Sequence, residues 1–395
     1  MQPFVKTIHP RGLLSFAPDS EPLPLTPLNV LIGPNGSGKS NLIEVFELLK
    51  ALPTDLAEVI RDGGGVGEWL WKGGSKRVGA SISADLRVRG GWNLRYGLGF
   101  VSTAQHLEVR HEVVEDDDST YYRFDVGHRA TIVRKIDGES KRRAFDPDLL
   151  QSVLSQRKDP ELYPEVAALG RSFEHILTFR EWSFGRYVPL RRPQPTDLPN
   201  DVVLPDARNL GLILNAIEHS DAWPRLNAGL SRFLPRFKRL NTLVQGGTIQ
   251  IFLHEDGLRT PVPAARLSDG TIRFITLLAI LLRPRVSPLI CLEEPELGLH
   301  PDALTLIAEL LVEASQQTQV IVTTQSDVLV SALSEHAGSV VVCDNLGGAS
   351  RFRRLESDKL RFWMESTGLA RSGVSANWVA TRERRGRVYG RRRRL

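Results

Sequence analysis

The chain has 395 residues, of which 41% are hydrophobic and 25% are charged, which is ordinary for a globular protein and argues against disorder as its main state. No apolar run is long enough to span a bilayer, and the N-terminus lacks the basic start and apolar core of a signal peptide, so we expect a cytoplasmic protein without a membrane partner. The net charge of +5 hides an uneven distribution: residues 382–395 carry +7, and the remaining residues carry −2.

The two cysteines, Cys291 and Cys343, each lie inside an apolar run that resembles a strand. This placement predicts buried thiols and excludes a disulfide framework or a cysteine metal site. The nine histidines show no metal-ligand spacing.

The first elements surround a glycine-rich loop. Leu28–Ile32 predicts a buried strand, and the following apolar periodicity predicts a helix that ends near Leu52. Between them lies the phosphate-loop pattern Gly33-x4-Gly38-Lys39-Ser40, in which backbone N–H groups and the Lys39 ammonium hold phosphates and the Ser40 hydroxyl ligates Mg2+. We therefore predict a nucleotide site for ATP and Mg2+. Its loop residues are Gly33, Pro34, Asn35, Gly36, Ser37, Gly38, Lys39, Ser40 and Asn41.

The elements around this loop are mostly strands. Phe4–Ile8 and the run around Leu13–Phe16 predict a strand pair before the loop, and residues 62–74 predict a glycine-rich loop with two exposed tryptophans. From Val78 to Phe100 apolar residues alternate with polar ones around a Gly90-Gly91 turn, and further strands are expected near 107–114, 120–126 and 129–136. The sequence therefore predicts an inserted antiparallel meander.

Helical spacing returns in residues 148–184 and 209–240, on either side of a proline-rich connector. Residues 242–264 predict a hairpin with Asp256-Gly257 at its turn. Leu267-Ser268-Asp269-Gly270-Thr271 then opens an apolar helix, for which Ser268 is the expected N-cap.

The second functional cluster ends the apolar strand Pro288–Leu292, which runs directly into Glu293-Glu294-Pro295-Glu296. A strand that delivers adjacent carboxylates downstream of a phosphate loop is typical of a nucleotide hydrolase, in which one acid holds the metal and the other activates water. From their order we predict that Glu293 is the acid on the metal side and Glu294 is the general base. Beyond them we expect a helix at Asp302–Ser315 and a strand at Val320–Thr323.

These landmarks, followed by Val320-Ile-Val-Thr-Thr-Gln-Ser326, resemble in order the four motifs of the heads of ABC-type ATPases. Asn35, Asn41 and the run Glu-Glu-Pro-Glu-x-Gly-Leu-His-Pro are similar to the branch that contains RecF and SMC proteins, and especially to bacterial AAA-family predicted ATPases. The resemblance implies an α/β fold, a P-loop NTPase of ABC-ATPase type, with an inserted antiparallel β meander and a helical insertion.

The resemblance also implies a homodimer that closes around two nucleotides, each bound by the phosphate loop of one subunit and capped by Ser268, Asp269 and Gly270 of the other. Gln325 stands where the family has a histidine that senses the terminal phosphate, and glutamine cannot take a proton. The resemblance therefore places Gln325 beside the catalytic Lys39 and Glu294 but leaves fast hydrolysis open. The loop glutamine that contacts the metal in this family has no placed counterpart in the sequence.

The predicted division of the chain gives a nucleotide-binding core at 1–75 and 243–355, a β insertion at 76–147 and a helical insertion at 148–242. A C-terminal helical end at 356–381 and a basic tail at 382–395 follow. The tail predicts contacts to phosphates of DNA or RNA, with a solvated tail of no specific role as the alternative. The candidate tail contacts are Arg384, Arg385, Arg387, Arg391, Arg392, Arg393 and Arg394.

Three classes of function fit these observations. The first is an ATPase that acts on or signals from nucleic acid in DNA repair or anti-phage defence, which the RecF/SMC-like resemblance and the tail favour. The second is a regulatory ATPase scaffold that binds and controls a separate effector protein. The third, a transporter ATPase subunit, is disfavoured by Asn41 and the Glu-Pro-Glu sequence.

Overall fold

The computed structural model describes residues 1–74, 79–136, 139–282 and 287–354, so the predicted C-terminal helical end and basic tail lie outside the described residues. The α-helices are α1 (Lys39–Ala51), α2 (Leu56–Asp62), α3 (Val66–Trp69), α4 (Val153–Gln156), α5 (Pro164–Glu174), α6 (Leu210–Glu218), α7 (Trp223–Phe233), α8 (Asp269–Leu281), α9 (Asp302–Ser315) and α10 (Asp327–Ala332). The strands are β1 (Val5–Arg11), β2 (Leu23–Pro24), β3 (Leu28–Ile32), β4 (Ala80–Arg87), β5 (Asn93–Thr103), β6 (His106–Glu115), β7 (Thr120–Asp125), β8 (Ala130–Ile136), β9 (Glu139–Phe145), β10 (Leu177–Phe179), β11 (Gln194–Pro195), β12 (Phe237–Gln245), β13 (Thr248–Glu255), β14 (Val262–Pro263), β15 (Leu289–Glu293), β16 (Gln319–Thr324), β17 (Val340–Leu346) and β18 (Ala349–Arg354).

A six-stranded sheet forms the centre, in the order β10-β15-β16-β3-β17-β18. All its strand pairs are parallel except β17 with β18. Strands β3 and β16 are buried at every residue, because helices or other layers cover both faces of such a sheet. Leu31 and Ile321 pack with α1, α5 and the meander, whereas Val30 and Val322 pack with α6, α8 and α9 on the opposite face. Both cysteines are free and buried, as predicted.

The second sheet contains the predicted meander and extends it at both ends. Its eight strands run in the order β2-β1-β4-β5-β6-β7-β8-β9, all antiparallel. The predicted pairing of the first strand with Leu13–Phe16 is wrong: β1 pairs with β2 and β4, while Leu13 and Phe16 form only an isolated bridge. Buried Gln319 links the two sheets, since its side chain bonds both backbone groups of Val5 at 2.8 and 2.9 Å.

Three local expectations are corrected by the structure. The segment 148–242 is not wholly helical, because Leu177–Phe179 forms an edge strand of the central sheet. The chain of 242–264 turns twice: β12 and β13 are joined at Gly246-Gly247, whose left-handed φ angles of +57° and +73° suit a two-residue turn, and the predicted Asp256-Gly257 lies in the connection between β13 and β14, which also pair antiparallel. Residues 62–74 contain the short helix α3, which buries Trp69 to 4% exposure.

Glu112 is a fully buried carboxylate that joins the meander to the chain before α4. It accepts hydrogen bonds from the Tyr96 hydroxyl at 2.8 Å, the Ser152 hydroxyl and the Val153 N–H at 2.8 Å. Burial raises the pKa of Glu112 to about 6, and these hydrogen bonds only partly oppose the rise. Relative to the unfolded chain, the folded protein therefore holds the proton of Glu112 to a higher pH, up to about 6.

A folded pKa above the unfolded value means that this group stabilises the fold below pH 4.5 and loses that contribution as the pH rises through 6. Relative to Glu112→Gln, which stays neutral, the wild type is expected to lose about 2 kcal/mol between pH 4 and pH 7. Urea denaturation of both proteins across this range measures the difference. A difference that does not change with pH would contradict the assignment.

Parallel strands β3, β15 and β16 end at one edge of the central sheet. The loops that follow them begin at Gly33, Glu294 and Gln325. The carboxyl edge of such a sheet is where ligands bind in open α/β folds, and it gathers the residues that the sequence singled out.

Candidate active site

The loop between β3 and α1 is built around glycines that no other residue replaces without strain. Gly36 and Gly38 have φ angles of +76° and +93°, and a Cβ on Gly33 would lie 2.1 Å from the Cys343 carbonyl oxygen. Asn345 donates to the Gly36 carbonyl at 3.0 Å and supports the loop from β17. The loop leads directly into the N-terminus of α1, whose first N–H groups lack helical partners and suit an anion.

Lys39 lies across this loop and is only 6% exposed. Its ammonium donates to the carbonyl oxygens of Gly33 at 2.8 Å and Pro34 at 3.0 Å. Phosphate oxygens can take over the hydrogen bonds that this ammonium donates to the loop carbonyls, and a charged phosphate would offset the desolvation of the ammonium better than neutral carbonyls do.

Ser40 and Glu293 meet beside the loop, as the sequence predicted for a shared metal site. The Ser40 hydroxyl donates to one carboxylate oxygen of Glu293, although the two residues are 253 positions apart. A hydroxyl oxygen and a carboxylate oxygen are the hard donors that Mg2+ accepts when phosphate and water complete its coordination. The donor set of this chain therefore fits the predicted ion.

Arg180, which sequence reasoning missed, holds the other oxygen of Glu293. It follows β10, and its guanidinium donates to Glu293 at 3.0 Å and to Glu47 and Glu44 of α1 at 2.7 and 2.8 Å. Burial lowers the pKa of Arg180, but the ion pairs with Glu47, Glu293 and Glu44 outweigh burial and raise it overall. The place of Arg180 could have been predicted from the sequence by recognising the short strand β10 that precedes it, but the helical spacing around this strand concealed it.

Glu294 begins the loop after β15 with a left-handed backbone, φ +44°, which is strained for a residue other than glycine. Its N–H donates to the Thr323 carbonyl at 3.0 Å, and the Gln325 side-chain amide donates to its carboxylate. The structure therefore brings together Glu294 and Gln325, the predicted base and the residue in the place of the family histidine. The two side chains are therefore direct hydrogen-bond partners.

Glu296, the third acid of the motif, has a structural role that the sequence did not indicate. It is 8% exposed and accepts from the Thr324 hydroxyl at 2.5 Å and the Gln325 N–H at 3.2 Å. Burial raises the pKa of Glu296, with these hydrogen bonds opposing the rise. Glu296 thereby fixes the start of the loop that carries Gln325.

In the turn formed by Ser268, Asp269 and Gly270, the first two residues are exposed. The turn also caps α8, because the Ser268 hydroxyl accepts a hydrogen bond from the Thr271 N–H at 3.1 Å. Buried Arg191 supports it from behind, donating to the Asp269 carboxylate and to the Leu267 carbonyl at 2.6 Å. A Cβ on Gly270 would lie 3.2 Å from the Gly298 carbonyl oxygen, so the turn borders the loop that follows Glu294.

A mixed-charge cavity of about 840 Å³ opens beside Glu293 and Glu294. Arg273 of α8 enters it, with its guanidinium 5.5 Å from the Trp182 ring centre and 4.9 Å from that of Phe184. The same guanidinium lies 3.5 Å from the Glu294 carbonyl oxygen. This contact connects the helix behind the exposed Ser268 turn to the candidate base.

The parallel core and its phosphate loop define a P-loop NTPase of the ABC-ATPase type, and solved structures share this fold. An SMC head bound to the C-terminal winged-helix domain of ScpA superimposes with a TM-score of 0.59 at 13% identity, covering 90% of this chain and 99% of the other. SMC head domains from Pyrococcus furiosus, bound to the C-terminal domain of ScpA, and Pyrococcus yayanosii give TM-scores of 0.56 and 0.54 at 12% and 11% identity. Both cover 93% of this chain and 100% of their own.

The family described as "AAA domain, putative AbiEii toxin, Type IV TA system" matches residues 28–331. The chain belongs to this family, and its ATPase domain is of the AAA type and similar in fold to SMC heads. The match spans the phosphate loop, the meander, the Ser268 turn and the Glu293-Glu294 strand end. No match was found among curated proteins. Within the described residues, no helix is both long enough and apolar enough to cross a membrane.

Proposed function

We propose that this protein binds and hydrolyses ATP at the 33–41 loop with Glu294 as the general base. The observation that carries the proposal is a pair of side-chain contacts at the end of β15: Glu293 with Ser40 at the start of α1, and Glu294 with Gln325 after β16. Membership of an AAA-type ATPase family supports it.

Each residue has a role in this reaction. Lys39 and the N–H groups at the start of α1 hold the phosphates, and Ser40 and Glu293 would hold Mg2+, which supplies charge neutralisation on the phosphate oxygens. Arg180 positions Glu293 through the free side of its carboxylate. Glu294 takes a proton from water, and Gln325 orients Glu294 by donating to it without taking a proton itself.

We further propose that two copies close around two nucleotides, with the Ser268 turn of each copy completing the site of the other. The exposure of Ser268 and Asp269 and their place beside the Glu294 loop support this arrangement. The turn also presents the N-terminus of α8, which favours the negative charge of a phosphate.

Ser268→Arg is expected to abolish ATP-dependent dimerisation while ATP binding to the monomer stays within about threefold, because the new side chain obstructs only the closing surface. Light scattering with and without ATP measures the mass, and phosphate release is followed in the same samples. Ser140→Arg, on the exposed outer strand β9, is the matched control. ATP-dependent dimerisation that survives in Ser268→Arg would contradict the proposed interface.

We propose that this ATPase acts in anti-phage defence and responds to nucleic acid. The family description supports defence over DNA repair, because it names a type IV toxin–antitoxin system. The arginines of segment 382–395 supply the charge for DNA or RNA. The alternative is a scaffold that controls a separate effector, and the SMC heads bound to ScpA support a partner protein. If DNA stimulates the ATPase activity and removal of 382–395 abolishes that stimulation, the result supports the first role. If DNA does not stimulate the ATPase activity of the full chain, the result supports the second role.

A further inference from the structure

Arg180 stands between three carboxylates that belong to two elements of the core. Its Nε donates to Glu293 at the end of β15 at 3.0 Å, and its two Nη atoms donate to Glu47 and Glu44 of α1 at 2.7 and 2.8 Å. The four side chains are between 18% and 29% exposed, so water and salt screen these pairs only in part. One guanidinium thus serves as the ion-pair partner of all three acids.

The acceptor atoms of this cluster suit a divalent cation. Because the three donor nitrogens belong to one planar group, the three carboxylates face the same small volume. The second oxygen of Glu293 accepts from the Ser40 hydroxyl, so a further oxygen donor lies at the border of that volume. Carboxylate and hydroxyl oxygens are ligands that Mg2+ and Mn2+ prefer. With Arg180 in place, no group of three or more histidine, cysteine or carboxylate side chains among the described residues is arranged to hold an ion.

One positive charge does not balance three negative ones, and the excess lies beside the phosphate loop. Helix α1, which carries Glu44 and Glu47, begins at Lys39, and Glu293 contacts Ser40. The excess repels a free nucleoside triphosphate and attracts one that carries a divalent ion, since charges in a partly buried site are weakly screened. Such an ion reaches Glu293 from the side of Ser40, while Arg180 keeps the other carboxylate oxygen.

Resting on the proposed function, we infer that Arg180 is an internal counter-ion that occupies the place of a divalent cation between Glu44, Glu47 and Glu293. It makes metal binding conditional on the nucleotide: the ion enters with the phosphates at Ser40 and does not settle among the acids beforehand. The Glu293 oxygen next to Ser40 is thereby reserved for the ion that the nucleotide brings.

The test measures metal binding in the absence of nucleotide, with Mn2+ as the probe. Arg180→Met is expected to bind Mn2+ at least tenfold more tightly than the wild type, a rough bound, because three uncompensated carboxylates gain most from a cation. Titration followed by the paramagnetic signal of Mn2+ counts the bound ions. In a second measurement, Mn2+ should raise the unfolding temperature of the variant more than that of the wild type. Arg180→Gln, which is also neutral but keeps a hydrogen-bond donor, should show the same gain.

Arg232→Met is the matched control. Arg232 of α7 also donates two hydrogen bonds to a carboxylate, but its partner is the single acid Glu309 of α9. Its loss leaves one unpaired carboxylate and should not create Mn2+ binding. Adding Glu44→Gln and Glu47→Gln to Arg180→Met should abolish the gain, because the cluster then retains one acid.

A folded Arg180→Met or Arg180→Gln protein that binds Mn2+ no better than the wild type would overturn the counter-ion role. A gain that survives the loss of both α1 acids would overturn it as well. If the wild type still binds and hydrolyses ATP with Mg2+ in either case, the proposed function stands and only this role fails. If the variants gain Mn2+ but the wild type does not bind ATP, the acids have their counter-ion and the nucleotide site itself fails.

Discussion

Glu294→Gln is expected to reduce ATP turnover by roughly 100- to 10,000-fold, because glutamine cannot take the proton of the attacking water. ATP binding should persist, since the phosphate contacts come from Lys39 and the loop backbone. The variant should accumulate as an ATP-bound dimer, because separation of the two copies requires hydrolysis under the proposed mechanism. Phosphate release and mass, followed together after ATP addition, measure both effects.

The hydrogen bond between Gln325 and Glu294 supplies a control for this experiment. Gln325→Ala keeps the carboxylate and removes only its orienting partner, so its loss of turnover should be smaller than that of Glu294→Gln. Turnover in Glu294→Gln equal to the wild type would remove Glu294 from the role of base and direct attention to another group at the same edge of the sheet.

Lys39→Met is expected to weaken ATP binding by about 10- to 100-fold or more, since it replaces a buried ammonium by an apolar chain of similar length. The loss should appear in the dissociation constant of ATP measured by calorimetry, before any effect on turnover is considered. Thermal unfolding of the variant is measured beside the affinity, because the substitution also leaves the carbonyl oxygens of Gly33 and Pro34 without the Lys39 donor.

Lys50→Met is the matched control because Lys50 lies on the same helix at its C-terminal turn. Burial lowers the pKa of Lys50, and its position is a full helix length from the loop. An equal loss of ATP affinity in both variants would indicate that charge on α1 in general, and not the Lys39 contact, attracts the nucleotide.

The fold followed from the sequence wherever a pattern was local and long. The buried run Leu28–Ile32 and the alternation from Ala80 to Phe100 correspond to strands, and the predicted Asp302–Ser315 helix has those ends in the structure. The predictions were wrong where pairing or length decided the outcome. Strand β10 has only three residues, and it becomes a strand because it pairs with β15, which no local pattern can reveal.

In the candidate site, too, residues with a local sequence pattern were predicted and residues defined by distant partners were missed. The loop residues and the two acids after β15 were identified because their chemistry requires fixed spacing in the chain. Arg180 and Arg191 were missed because their partners lie elsewhere in the sequence: Glu293 is 113 residues from Arg180, and Asp269 is 78 from Arg191. Isolated arginines carry no signal of such contacts. The assigned roles of the loop and turn residues remain predictions for the experiments above.

The left-handed backbone of Glu294 has a consequence for selection on this protein. Glycine adopts φ +44° without the cost of about 1–3 kcal/mol that such a conformation imposes on other residues. A mutation to glycine would therefore relieve strain while removing the carboxylate. Under the proposed mechanism, stability and catalysis therefore make opposite demands on this position, and a homologue that carries glycine there would be expected to be more stable and to lack turnover.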